Sequence, residues 1–169
     1  ELALITQYNL EPLFQPSWYI LPDGRLDDKA LIAAFQEFFR ENSEIWLERF
    51  DYKEAAPQLI MQAFLQRIVN SGGRIDREYG LGRKRTDLLI SRKSGNKQQK
   101  IVIELKILHK SLDETIKEGL KQTAGYMDKC GAEKGHLIVF DRRKDQKWAD
   151  KIFCRKEKFE GNNITVWGM

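Results

Sequence analysis

The chain has 169 residues, of which 41% are hydrophobic and 32% are charged, and its net charge is +4. This balance is typical of one soluble globular domain with its own core, and it excludes a disordered chain. No apolar run reaches membrane-spanning length and no signal peptide is visible, so we expect a cytoplasmic protein with no membrane partner. Cys130 and Cys154 lack the close spacing of metal ligands and indicate a reducing compartment.

The first third of the chain predicts an irregular segment followed by helices. Residues 1–26 hold three of the four prolines and are predicted to be irregular. Three helices follow, over residues 26–42, 43–50 and 54–69. Asp27 or Asp28 caps the first helix, because a short acidic side chain there can accept from the first backbone N–H groups. The chain begins with Glu1 rather than Met, which predicts an excised part of a longer protein.

From residue 74 onward the pattern is that of a mixed α/β domain. Strands are predicted over residues 74–82, 83–93, 100–108 and 134–143, with a closing hairpin over residues 151–159 and 163–169. The helix over residues 111–131 has a capping box that starts at Ser111 and a stop at Gly131. Counted from residue 54, the order is α-β-β-β-α-β. We therefore expect residues 54–169 to form the domain, with residues 1–53 packed on it as an extension.

Charge is distributed unevenly along the chain. Residues 1–57 hold 5 Lys and Arg against 11 Asp and Glu, a net −6, whereas residues 58–169 hold 24 against 14, a net +10. The basic part is compatible with a polyanionic partner, most simply nucleic acid.

The third strand carries two charged side chains in an otherwise apolar run, IVIELKIL. Strand alternation places Glu104 and Lys106 on one face, while the other face can join a core through Ile101, Ile103, Leu105 and Ile107. Asp87 lies inside the second strand, so pairing of the two strands can bring it beside Glu104. Two adjacent carboxylates suit a hard cation such as Mg²⁺, and Lys106 could then orient a water or stabilise charge on a phosphate. The pattern predicts metal-assisted phosphodiester hydrolysis, and a surface ion pair remains the alternative.

Asp87 followed by Glu104-Leu105-Lys106 resembles the motif of the PD-(D/E)xK nuclease superfamily. The α-β-β-β-α-β order is also the core of that family, so the resemblance implies a three-layer restriction-endonuclease-like α/β fold with a mixed sheet. This sequence has Thr86 where the family name has proline, a position that varies among such nucleases.

A second motif lies in the following helix. Gln122 and Tyr126 are four residues apart and share a helical face, which is similar to the Q-x-x-x-Y element of the RecB-type and λ-exonuclease-type branch. The resemblance covers about residues 54–140. Residues 1–53 look similar to the region that precedes such a domain in bacterial proteins with an N-terminal AAA-type ATPase. An ATPase domain in the same longer chain is therefore an expected partner, and a homo-oligomer stays open.

The resemblance implies a Mg²⁺-dependent deoxyribonuclease, with Mn²⁺ as a substitute metal. The implied metal ligands are the side chains of Asp87, Glu104 and Glu54 and the main-chain carbonyl of Leu105. Lys106 would act on the nucleophilic water, and Gln122 and Tyr126 would support the site. Glu78 on the first strand is the substitute for Glu54.

Other interpretations remain open for several of these residues. Arg83, Lys84 and Arg85 precede Asp87 and could hold a phosphate backbone, or they could form a solvated turn. Asp87 could be a strand-end residue satisfied by backbone N–H groups. Gln122 and its helical neighbour Tyr126 could lie on the solvent side.

Two further function classes remain open as well. The domain could be a catalytically inactive nucleic-acid-binding or regulatory module, or a protein-interaction domain that uses its acidic N-terminal helices. The nature of the nucleic acid and the mode of cleavage are not fixed by the sequence.

Overall fold

The computed structural model describes residues 18–49, 59–65, 73–81, 84–109 and 111–169. The backbone alone is described for residues 43–49, 73–81, 84–87 and 94. Four helical segments and six strands lie within these ranges: α1 Asp28–Arg49, α2 residues 59–65, β1 Gly73–Leu81, β2 Lys84–Ser94, β3 Lys97–Ile107, α3 Leu112–Cys130, β4 Lys134–Phe140, α4 Trp148–Lys151, β5 Phe153–Phe159 and β6 Asn162–Gly168.

The six strands form one mixed sheet in the order β1-β2-β3-β4-β6-β5. β1, β2 and β3 are antiparallel neighbours, β4 runs parallel to both β3 and β6, and β5 closes the sheet antiparallel to β6. The carboxyl ends of β3, β4 and β6 therefore meet at the same edge of the sheet, which we call the carboxyl edge.

Helices cover both faces of the sheet, so the fold has three layers. One face packs on α1 and α2 through a core that contains Phe35, Met61 and Ile103. The opposite face packs on α3 through a second core that contains Val102 and Leu120. Both cores follow from strand alternation, since consecutive residues of β3 enter opposite layers. The predicted three-layer α/β fold with a mixed sheet and α-β-β-β-α-β order is confirmed.

The helix α3 begins and ends where the sequence predicts. The Ser111 hydroxyl accepts from the Glu114 backbone N–H at 3.2 Å, and the Glu114 carboxylate accepts from the Ser111 backbone N–H at 3.5 Å. Gly131 ends the helix in the left-handed region, with φ at 67°. These contacts define the two ends of the helix, which packs on the sheet face that carries Glu104 and Lys106.

The N-terminal helices differ from the prediction in one respect. The chain forms a single helix from Asp28 to Arg49, so the predicted break into two helices at residue 43 is wrong. The Asn42 side chain donates to the Phe38 carbonyl at 2.8 Å, one turn earlier in the same helix, so this polar side chain is satisfied without a break. Of the two candidate caps, Asp27 is the one whose carboxylate accepts, from the Ala30 N–H at 3.0 Å.

Two strand ends also differ from the prediction. Ser94 pairs with Lys97, so the second and third strands extend beyond their predicted limits at residues 93 and 100, and the turn between them is Gly95 and Asn96. β4 ends at Phe140 instead of continuing to residue 143. In the part of the chain that the structure describes, no helix has the length and hydropathy needed to cross a membrane.

Candidate active site

Glu104 and Lys106 lie side by side on β3, near the carboxyl edge and under α3. The Lys106 ammonium is 3.4 Å from Oε1 of Glu104, and Glu104 is only 4% exposed. Val102, two residues earlier on the same face, belongs to the core beneath α3. The alternating positions Ile101 and Ile103 are buried in the other core. The predicted display of both charges on one face is confirmed, and that face is covered by a helix.

The register of β2 on β3 determines which residue lies opposite Glu104. Leu88 pairs with Ile103 in the antiparallel ladder. Continued by one residue, this register sets the backbone of Asp87 opposite that of Glu104. Position 87 also shares its face with Leu89, which lies in the core beneath α3. The predicted adjacency of the two acidic positions therefore agrees with the backbone register.

The helix α3 passes close to the sheet beside Glu104. Leu137 is the β4 partner of Glu104, and a Cβ at Gly119 would lie 2.5 Å from the Cδ1 atom of Leu137. Glycine thus allows the close approach at this crossing, because a larger residue would require the buried Leu137 side chain or the helix to shift.

Gln122 and Tyr126 follow on the same helix and are turned toward the protein interior. Tyr126 is 5% exposed and belongs to the core beneath α3. The Oε1 atom of Gln122 is buried, and no hydrogen bond to it is found among the described residues. The solvent-side alternative for this pair is therefore wrong. A buried amide oxygen without a donor is costly in a folded protein, so it is suited to a donor supplied by a ligand or an ordered water.

The available donor set fits a hard divalent cation. Glu104 offers a buried carboxylate, Asp87 occupies the opposite position of the ladder, and Gln122 offers a neutral oxygen on α3, the helix that covers this face. Oxygen ligands of this kind are those that Mg²⁺ prefers. Among the side chains that the structure describes, no three His, Cys, Asp or Glu residues converge. The Asp87 side chain is not among them, so the metal site itself stays a prediction.

Several predicted site residues fall outside the described parts of the chain. Glu54 and Arg83 lie in undescribed segments, and for Glu78, Lys84 and Arg85 only the backbone is described, within β1 and β2. Leu105 lies on β3 between the two charged residues and packs its side chain against the first core. Their predicted roles stay predictions.

Both histidines contact other groups of the protein through their ring nitrogens. Nδ1 of His109 lies 3.1 Å from the Ile107 carbonyl oxygen, and its Nε2 is 3.8 Å from a Glu118 carboxylate oxygen. His136 is buried, with Nε2 2.8 Å from Oδ2 of Asp28 and Nδ1 accepting from the Trp167 indole N–H at 3.0 Å. Both ring nitrogens of His136 are occupied, so it has no free atom for acid–base chemistry.

The carboxylate partner of His136 has a perturbed pKa. Burial by itself raises the pKa of Asp28, but the hydrogen bond from His136 and the positive charge of Lys134 outweigh it. The pKa of Asp28 therefore lies below its ordinary value. The negative charge of Asp28 thus belongs to a hydrogen bond with His136 that joins α1 to β4.

One group of residues near the site was not singled out in the sequence. The loop over residues 141–147 leaves β4 at the carboxyl edge and contains Arg142, Arg143, Lys144 and Lys147. The run RRKDQK directly after a buried strand was the available signal.

A family model described as "Domain of unknown function (DUF8371)" matches residues 30–144 of the chain. The match begins inside α1 and ends in the loop after β4, so it takes in α3 and all of the candidate site residues. No curated protein matches the chain.

Proposed function

The chain belongs to the DUF8371 family, and from its own residues we propose that it is a metal-dependent nuclease that hydrolyses phosphodiester bonds of DNA. The observation that carries the proposal is the buried Glu104 carboxylate beside the Lys106 ammonium, with position 87 opposite it in the ladder. The Gln122 amide oxygen adds a further acceptor on the helix above.

Stability alone does not explain this arrangement. Removing the Glu104 carboxylate from water is costly, and apolar residues of similar size are often as stabilising as a buried ion pair. Val102 and Leu137 show that the same layer readily accommodates aliphatic side chains. A charged pair in this position is therefore better accounted for by chemistry than by packing.

The roles of the residues follow from their positions. Asp87, Glu104 and the Leu105 carbonyl would hold Mg²⁺ or Mn²⁺, which supplies Lewis acidity toward the phosphate when bound. Lys106, whose side chain is 23% exposed and whose ammonium is 3.4 Å from Glu104, would orient the attacking water or stabilise negative charge on the phosphate. Gln122 would accept a hydrogen bond from a water or ligand at the site.

The test is a cleavage assay on linear and circular DNA with Mg²⁺ or Mn²⁺, which compares wild type with Lys106→Ala. We expect the variant to lose about 10²-fold or more in rate while its circular dichroism spectrum is unchanged. Lys97→Ala is the matched control, because Lys97 is an exposed lysine at the other end of the same strand. Cleavage of circular DNA would identify an endonuclease. Equal activity in wild type and Lys106→Ala would refute the proposal.

Metal binding separates the enzyme from an inactive nucleic-acid-binding module with the same fold. Isothermal titration calorimetry with Mn²⁺ should show binding to wild type and its loss in Asp87→Ala. DNA binding without metal binding and without cleavage would favour the inactive module.

A further inference from the structure

The basic loop, defined as residues 141–147, begins next to the candidate active site. Lys106 pairs with Val139 and Ile107 pairs with Phe140 in the parallel ladder. The loop starts at the next residue, Asp141, whose backbone N–H donates to the Met169 carbonyl at 2.6 Å. At about 3.3 Å per strand residue, Asp141 lies roughly 7 Å along β4 from the residue paired with Lys106.

The segment that contains the loop concentrates positive charge. Residues 141–158 hold eight Lys and Arg against four Asp and Glu, so their net charge of +4 equals that of the whole chain. β5 also begins at the carboxyl edge, because its first residue, Phe153, pairs with Gly168 at the end of β6. Arg155 follows two residues later, and its side chain is 45% exposed. Positive charge therefore extends from the end of β4 to the start of β5.

The backbone of the loop is held in place by an acidic clamp and a buried lysine. The Asp141 carboxylate accepts from the Arg143 backbone N–H at 3.0 Å, from its Nε at 2.9 Å and from its Nη2 at 2.6 Å. These hydrogen bonds hold the pKa of Asp141 below its ordinary value, so the clamp stays charged at neutral pH. Lys151 is 4% exposed, donates to the Arg143 carbonyl and lies over the Trp148 ring.

The clamp leaves two lysines of the loop exposed to solvent. Lys144 and Lys147 are both exposed, and neither forms an ion pair with another described side chain. Lys147 makes no side-chain capping bond to α4 either. Their charges are thus available on a fixed backbone, which lowers the ordering cost of binding a partner.

We infer that the basic loop binds the phosphate backbone of the DNA substrate and positions it over Glu104 and Lys106, an inference that rests on the proposed nuclease function. A duplex presents a phosphate on each strand about every 3.4 Å along its axis. A backbone with one phosphate at Lys106 would therefore present further phosphates along the carboxyl edge, where the loop with Lys144 and Lys147 begins. Such contacts position the nucleic acid without reading its sequence.

The experiment measures DNA binding and cleavage by the full chain with the double variant Lys144→Ala/Lys147→Ala. Binding of a labelled 30-base-pair duplex is titrated in EDTA at several salt concentrations. The control is Lys93→Ala/Lys97→Ala, which removes two exposed lysines beside the β2–β3 turn, at the opposite edge of the sheet. Both variants lose the same net charge, so only the position of the lost charges differs.

We expect the loop variant to bind DNA roughly tenfold more weakly per lost contact at about 0.1 M salt. The slope of the logarithm of the association constant against the logarithm of the salt concentration should become shallower by about 2, since two phosphate contacts are lost. The control should stay close to wild type in both quantities. Equal affinities and slopes in the two variants would overturn the inference, as would a wild type that does not bind DNA.

Cleavage reports separately on the proposed function. DNA binding that depends on the basic loop, without any cleavage by wild type, would refute the proposed nuclease activity and support the DNA-binding role of the loop. Cleavage by wild type, with unchanged DNA binding in the loop variant, would support the proposed nuclease activity and refute the DNA-binding role of the basic loop.

Discussion

The buried contact between Trp167 and His136 provides the most direct test of the structure. The indole N–H can only donate, so Nδ1 of His136 must be the acceptor and the imidazole proton lies on Nε2, facing Asp28. Trp167→Phe removes this donor while keeping an aromatic ring in the first core. The Nδ1 atom then remains buried, since His136 is 1% exposed.

The cost has two parts that the structure allows us to estimate. A buried acceptor that loses its donor costs about 1–3 kcal/mol. Phenylalanine also lacks about three ring atoms of tryptophan, and at roughly 0.8 kcal/mol per buried carbon this adds about 2 kcal/mol. Trp167 is 4% exposed, so little of the lost volume can be filled by solvent. We expect Trp167→Phe to lower the free energy of unfolding by about 3–5 kcal/mol, a large part of the total for a domain.

Urea denaturation, followed by circular dichroism and analysed by linear extrapolation, measures this difference. Trp148→Phe is the matched control, because Trp148 packs against the same core and is only partly buried. The control removes the same atoms without leaving a buried imidazole unsatisfied, so we expect it to cost at most about 2 kcal/mol. Equal destabilisation by the two substitutions would refute the argument from the hydrogen bond.

Two further predictions concern the ends of helices. Because the pKa of Asp28 lies below its ordinary value of 3.8, its carboxylate stabilises the fold above that pH and the contribution is lost as pH falls through the folded pKa. As the pH is lowered from about 5 to about 2.5, the free energy of unfolding should therefore fall less in Asp28→Asn than in wild type, as measured by urea denaturation at each pH. The same pH dependence in both proteins would contradict the lowered pKa of Asp28. Ser111→Ala should cost about 1 kcal/mol by removing the capping box, whereas Ser91→Ala, a partly buried strand position, serves as a control for the hydroxyl itself.

Local signals in the sequence predicted much of the fold. The capping box at Ser111, the stop at Gly131 and the alternation in β3 each depend on residues close together in the chain, and all three are confirmed. Asn42 shows the limit of such signals. The sequence predicted one helix to end at this residue and another to begin at residue 43, but the Asn42 side chain bonds back to the Phe38 carbonyl and the helix continues.

Contacts between distant residues could not be predicted. Asp28 and His136 are 108 residues apart, and nothing near either residue in the sequence indicates the other. Gly119 is similar, since its role depends on the approach of α3 to Leu137. For the candidate site, the sequence predicted that Glu104 and Lys106 share a face, but not that a helix would bury the carboxylate.

The position of β6 bears on how the chain reaches its folded state. β6 is the last strand in sequence, yet it lies between β4 and β5. Gln36 of α1 donates to the Gly168 carbonyl at 2.7 Å, across 132 residues of chain. During synthesis, the edge of β4 that pairs with β6 therefore stays open until residues 162–168 have left the ribosome. Contacts of such high sequence separation slow folding and leave nascent chains open to aggregation, so we expect chaperones to raise the yield of this protein.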